Sequence, residues 1–172
     1  MVADRRAKVV NILYYLHGLC TTQDLSQAAP NTNTQPDSAA IAGTRMPLLD
    51  CAQTPGDQHL GYIKHIISHL NGVLHAPGST PAQAALANQI ITALSNVNLK
   101  LEQIQQDAQQ LIQMDDAHFQ ASPLLGEIEH LASQANGGWF DQGTGKTYAG
   151  TEAIYGMIQS LAAFDVQPFK AQ

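Results

Sequence analysis

The sequence predicts an all-α fold, an up-and-down helical bundle of four main helices plus an N-terminal helix, built around one long helix at about residues 80–114. Three observations carry that expectation. Ala87, Ile90, Leu94, Val97, Leu101, Ile104, Ala108 and Leu111 recur at alternating steps of three and four, which lays one apolar stripe along a helix. Three segments open on the same signal, Ser or Thr followed by Pro, at Thr54-Pro55, Thr80-Pro81 and Ser122-Pro123. A hydroxyl there can accept an orphan N–H, and proline's fixed φ suits the first helical position. The link from Ala76 to Ser79 is short, so the helices on either side should be antiparallel neighbours.

Taken in order, residues 3–19 read as the N-terminal helix, with Val9, Ile12, Leu13 and Leu16 on one face and Tyr14 and Tyr15 widening it. Arg5, Arg6 and Lys8 ahead of VVNILYYLHGL copy the outline of a secretory signal. Asn11 and His17 interrupt the apolar run, however, and no small-x-small cleavage site follows, so an ordinary helix is expected. Residues 20–54 carry Pro30, Pro36, Pro47 and the run NTNTQPDS without a sustained period. This is a long Pro- and Asn-rich loop or tether, expected to lie across the bundle through Ile41, Met46, Leu48 and Leu49. Cys20 and Cys51 bracket it and form a candidate disulfide; two reduced thiols fit the same spacing.

A helix from Thr54 follows, with Ile63, Ile66, Ile67, Leu70, Val73 and Leu74 as its stripe and Pro77-Gly78 as its stop. The long helix starts at Thr80, where Gln83 completes a capping box by reaching back to the Thr80 N–H. At 1.5 Å per residue its roughly 35 residues make a rod of about 50 Å. Ser122-Pro123 begins a helix to about Ala135, with Leu124, Leu125, Ile128, Leu131 and Ala132 expected inward, closed by Asn136-Gly137-Gly138. Residues 137–145 read as a flexible turn anchored by Trp139 and Phe140. The last helix, from Thr147 or Thr151 to Ala163, places Ile154, Ile158 and Leu161 on its core line.

The 172 residues fit one domain, 1–172, large enough to bury a core without metal or disulfide support. Charged residues make up 13% of the chain, about half the usual share, and 19 Gln help to fill the polar positions instead. A net charge of −6 with scattered Lys and Arg offers no basic stripe for phosphates, which argues against nucleic acid as a partner. No apolar run reaches the roughly 20 residues a bilayer span requires. The low charge and the Gln- and Asn-rich faces lean towards an exported protein over a cytoplasmic one.

Seven histidines make a metal or haem site the first chemistry to weigh. His59, His65, His69 and His75 fall on the second helix, and the four-residue step from His65 to His69 stacks two imidazoles as candidate metal ligands. The helical wheel sets His69 about 100° and His65 about 140° from the apolar centre at Leu70, on the flank and the polar side respectively. Glu127 and His130 make one Glu-x-x-His step of the kind di-iron bundles use, but such sites need two steps and further glutamates, and the chain holds four Glu in all. Asp115, Asp116 and His118 could share a divalent ion, although a solvated link suits that run better. GTGKT at Gly143 to Thr147 resembles the end of a phosphate loop, yet Phe140 stands where its first glycine belongs. His17 and Cys20 could pair as base and nucleophile, with no orienting carboxylate to name.

No catalytic residues are therefore expected, and no cofactor is required. The first functional expectation is a non-enzymatic interaction, scaffolding or assembly subunit that meets a protein partner or copies of itself through an uncharged polar surface. Between Thr80 and Met114 only Lys100, Glu102 and Asp107 are charged, against eight Gln. The second is a bundle binding a small molecule, metal or haem between its helices, with His65, His69 or His130 as ligands.

Overall fold

A computed structural model of the chain describes residues 2–18, 47–50 and 61–163. Those residues form six helices and one small hairpin: α1 (Val2–His17), α2 (Tyr62–His75), α3 (Pro81–Gln113), α4 (Asp116–Ala121), α5 (Leu124–Gly137), β1 (Trp139–Asp141), β2 (Lys146–Tyr148) and α6 (Thr151–Ala162). The fold is an all-α bundle organised around α3, against which α1, α2, α5 and α6 all pack.

The stripe read from the sequence is the core line of α3. Seven of its eight residues are buried, and Leu101 is half-buried. The start of the rod follows the expected chemistry: Gln83 N–H donates to Thr80 Oγ1 at 3.2 Å, and Thr80 N–H donates to Gln83 Oε1 at 2.9 Å. Pro81 takes the first helical position.

Two hydrophobic cores lie along the rod. Around its N-terminal half, Ile63 and Leu70 of α2, Ala135 of α5 and Ile154 of α6 surround Ala87, Ile90, Leu94 and Val97. Around its C-terminal half, Val9, Leu13 and Leu16 of α1, Leu49, Phe119 and Ile128 enclose Ile104, Ala108 and Leu111. Leu101 packs against both. The helices α1 and α2 thus serve opposite halves of the same rod.

The segment Pro47–Asp50 joins those two helices. Leu48 and Leu49 N–H donate to the Tyr15 and Leu16 carbonyls at the end of α1, while Pro47 and Leu48 carbonyls accept from Tyr62 and Ile63 at the start of α2. Asp50 accepts from Gly61 N–H at 2.8 Å and pairs with Lys64. A Cβ on Gly61 would collide with the Leu49 carbonyl, so only glycine lets these strands of backbone meet. Leu48 and Leu49 therefore lie across the bundle as expected, but the second helix does not run on from Thr54: it begins at Tyr62, with Gly61 extended as its N-cap, so His59 precedes it; Ile41, Met46, Thr54-Pro55 and both cysteines fall outside the described residues.

Three sequence expectations change. The run Asp115–His118 is exposed as expected but helical instead of a link: Asp115 caps α4 through the His118 N–H at 2.9 Å, and Phe119, just beyond the run, is fully buried in the lower core. The Gly-rich turn after α5 is a hairpin with Trp139 opposite Tyr148, their rings stacked at 4.9 Å. Gly138, at φ 89°, makes the exit from α5 that a side chain would strain. Trp139 anchors this hairpin on the rod, beneath the Lys100 ammonium at 4.9 Å, whereas Phe140 is 61% exposed and anchors nothing. On α5, Ala135 takes the inward place expected for Ala132, which is exposed.

Candidate functional site

The longest continuous surface that one element presents is the outer face of α3. Its exposed positions are Pro81, Ala82, Ala85, Asn88, Gln89, Thr92, Ser95, Leu99, Gln103, Gln106, Gln110 and Gln113, and none carries a charge. From Asn88 onward they recur in steps of three and four opposite the core stripe, so they form a line of about 38 Å along the rod. Leu99 stands at its middle, 61% exposed.

The three charged residues of the rod are withdrawn from this line. Lys100 lies over Trp139. The Glu102 carboxylate accepts from Asn98 Nδ2 at 2.6 Å, and the Asp107 carboxylate accepts from Gln103 Nε2 at 2.9 Å. What remains outside is amide, hydroxyl and one leucine. Such groups give up less hydration than ions when a partner covers them.

His65 and His69 come together as their spacing predicts. Both are exposed on α2, with Nε2 atoms 3.0 Å apart and rings edge to face at 4.5 Å. Among the described residues no three His, Cys, Asp or Glu side chains converge on a point where a metal ion could sit, so the pair has no third protein ligand there; His59 falls outside those residues. Glu127 and His130 are both exposed on α5, and His130 Nε2 meets the Gln134 side-chain amide at 2.8 Å.

The other sequence candidates have structural duties. The backbone N–H groups of Gly143 and Thr144, which a phosphate loop would turn to its ligand, instead donate to Asp141 Oδ1 at 2.8 and 3.4 Å. Thr144 Oγ1 also donates to Asp141 Oδ2 at 2.8 Å; this bond first, and the Gly143 N–H next, hold the Asp141 carboxyl below its ordinary range. Asp115 is lowered likewise, first by the His118 backbone N–H and then by its imidazole, as befits a helix cap. Asp116 accepts from Arg6. His17 ends α1, while Cys20 lies outside the described residues.

A cleft of about 390 Å³ at the α2–α3 turn is lined by Val73, Pro77, Ile158 and Leu161, with Ser79 and Gln83 as its polar groups. Ser79 Oγ already donates to the Val73 carbonyl, and Gln83 is committed to the capping box. The cleft offers no free acid, base or nucleophile. No described helix is long and apolar enough to cross a membrane.

Comparison with known proteins leaves this geometry to stand alone: no family model, no curated protein and no solved structure matches the chain.

Proposed function

We propose that this protein is a non-enzymatic interaction or assembly subunit whose working surface is the outer face of α3, covered by a protein partner or by a further copy of the chain. The carrying observation is that every exposed position of a 33-residue helix is uncharged while its three ionic residues lie off that face, engaged by Trp139, Asn98 and Gln103. Solvent alone favours no such arrangement, since exposed helix faces ordinarily carry alternating ion pairs. A neutral face also lets a chain of net charge −6 meet another acidic surface without close like-charge contacts. Leu99 supplies an apolar anchor at the centre, and the glutamines around it can exchange paired amide bonds with a partner.

The test is site-specific photocrosslinking in the full chain. A photoreactive residue at Leu99 or Gln106 gives discrete protein adducts, while the same residue at exposed Glu129 on α5 gives none. Equal labelling at all three positions, or none at Leu99 and Gln106, contradicts the proposal.

A further inference from the structure

Two imidazoles meet on the exposed side of α2. His65 and His69 stand one turn apart, with Nε2 atoms 3.0 Å from each other and ring centroids 4.5 Å apart. The nitrogens are closer than the rings, so the two Nε2 edges turn towards one gap. Between neutral rings that gap holds a shared proton, one Nε2–H donating to the lone pair of the other.

The same separation suits a metal ion. Two metal–imidazole bonds of about 2.0–2.1 Å meeting at a right angle set their nitrogens about 2.9 Å apart, whereas a tetrahedral angle requires about 3.3 Å. Right-angled positions belong to square and octahedral coordination, which Cu²⁺ and Ni²⁺ adopt with imidazole. A closed tetrahedral zinc site would need four protein ligands, and among the described residues not even three converge.

The surroundings leave the pair accessible to a cation. Lys64 is the one Lys, Arg, Asp or Glu on α2, and it is paired with Asp50. Tyr62 and Gly72 are the next residues on the histidine face, three before His65 and three after His69. Helical side chains lean back towards the N-terminus, so one at position 72 would lie over His69; glycine keeps that side open. Packing does not account for this glycine, because a Cβ built there meets no atom within 4 Å.

We infer that His65 and His69 form a two-point site for a divalent transition-metal ion, Cu²⁺ or Ni²⁺, whose remaining positions are filled by water. The ion takes both Nε2 lone pairs, and the proton they shared moves to Nδ1 of its own ring, so neutral imidazoles bind it without net proton release. The site lies on α2 and does not depend on the outer face of α3.

Ni²⁺ is the probe, titrated into the full chain by calorimetry while the histidine ring signals are followed by NMR. One equivalent should broaden the rings of His65 and His69 in a saturable way. His65→Ala and His69→Ala should each weaken Ni²⁺ at least tenfold, since two imidazoles one turn apart act as a chelate and one alone does not. Alanine is the best helix former, so helical circular dichroism is kept in both variants and separates lost binding from lost folding. His75→Ala removes an exposed imidazole outside the pair and should leave the affinity unchanged. The inference is overturned if Ni²⁺ binding does not saturate, if it broadens other histidines in place of this pair, if either folded alanine variant loses less than tenfold, or if His75→Ala matches them.

Discussion

Arg6 lies 8% exposed between the ends of α1 and α3, with its guanidinium 4.6 Å from the Phe119 ring centroid. It donates to the Ile112 carbonyl at 3.2 Å, to the Met114 carbonyl and to Asp116, so it satisfies backbone acceptors that the end of the rod leaves open. Replacing it by Met should cost about 2–3 kcal/mol, the scale of hydrogen bonds to a charged donor whose buried acceptors are then orphaned. Chemical denaturation measures this, and a loss under 0.5 kcal/mol, the scale of an ordinary surface substitution, would mean that the carbonyls find water instead. In the sequence Arg6 reads as one of three clustered basic residues. Its place three before Val9 and seven before Leu13, on the core line of α1, is the signal that could have found it. Phe119 had no such signal, being one aromatic in a polar run. Asp141 has a pH consequence of its own. Its folded pKa is depressed below the ordinary 3.8, so its support for the hairpin turn is complete above that value and is lost as the pH falls through the folded pKa. Fluorescence of Trp139, the sole tryptophan, should hold steady from pH 7 to about 5 and change only below 3.8. A transition centred near pH 6 would contradict that cause.

At the scale of elements, the rod was legible because two independent signals agree on it. Its apolar period sets the buried face, and the Thr80, Pro81 and Gln83 trio sets its first turn. Thr80→Ala removes one half of the capping box and should lower stability by about 1 kcal/mol; Thr80→Ser should restore most of it, as unfolding of both variants would reveal. The hairpin was not legible. Its strands are three residues each, too short for a period, and they are held by a Trp139–Tyr148 stack between residues that look unrelated along a Gly-rich run. The same limit applies to the candidate site. That the rod is poor in charge can be read directly, and the pairing of Glu102 with Asn98 and of Asp107 with Gln103 follows from their four-residue spacing, whereas the place of Lys100 over Trp139 depends on a neighbour that only the fold supplies. The His65–His69 pair was readable from its spacing alone, because four residues on a helix fix the approach of two side chains.

Over the whole molecule, one helix is shared by two cores and still leaves its opposite face exposed. The inner stripe of α3 is covered within the chain by α1, α2, α5 and α6, with Leu101 common to both cores. The seam is therefore internal, and a coiled-coil dimer through it is not needed to account for the apolar period. What stays open is the opposite line from Asn88 to Gln113. Light scattering on the chain eluting from a sizing column, prepared from its native source, tests the central claim most directly. The account predicts a mass above the 18.4 kDa of one chain, and a fall to that mass when Leu99→Lys and Gln106→Lys are introduced together with helical content unchanged. A native species of 18.4 kDa, or a larger one whose mass ignores both lysines, would contradict it.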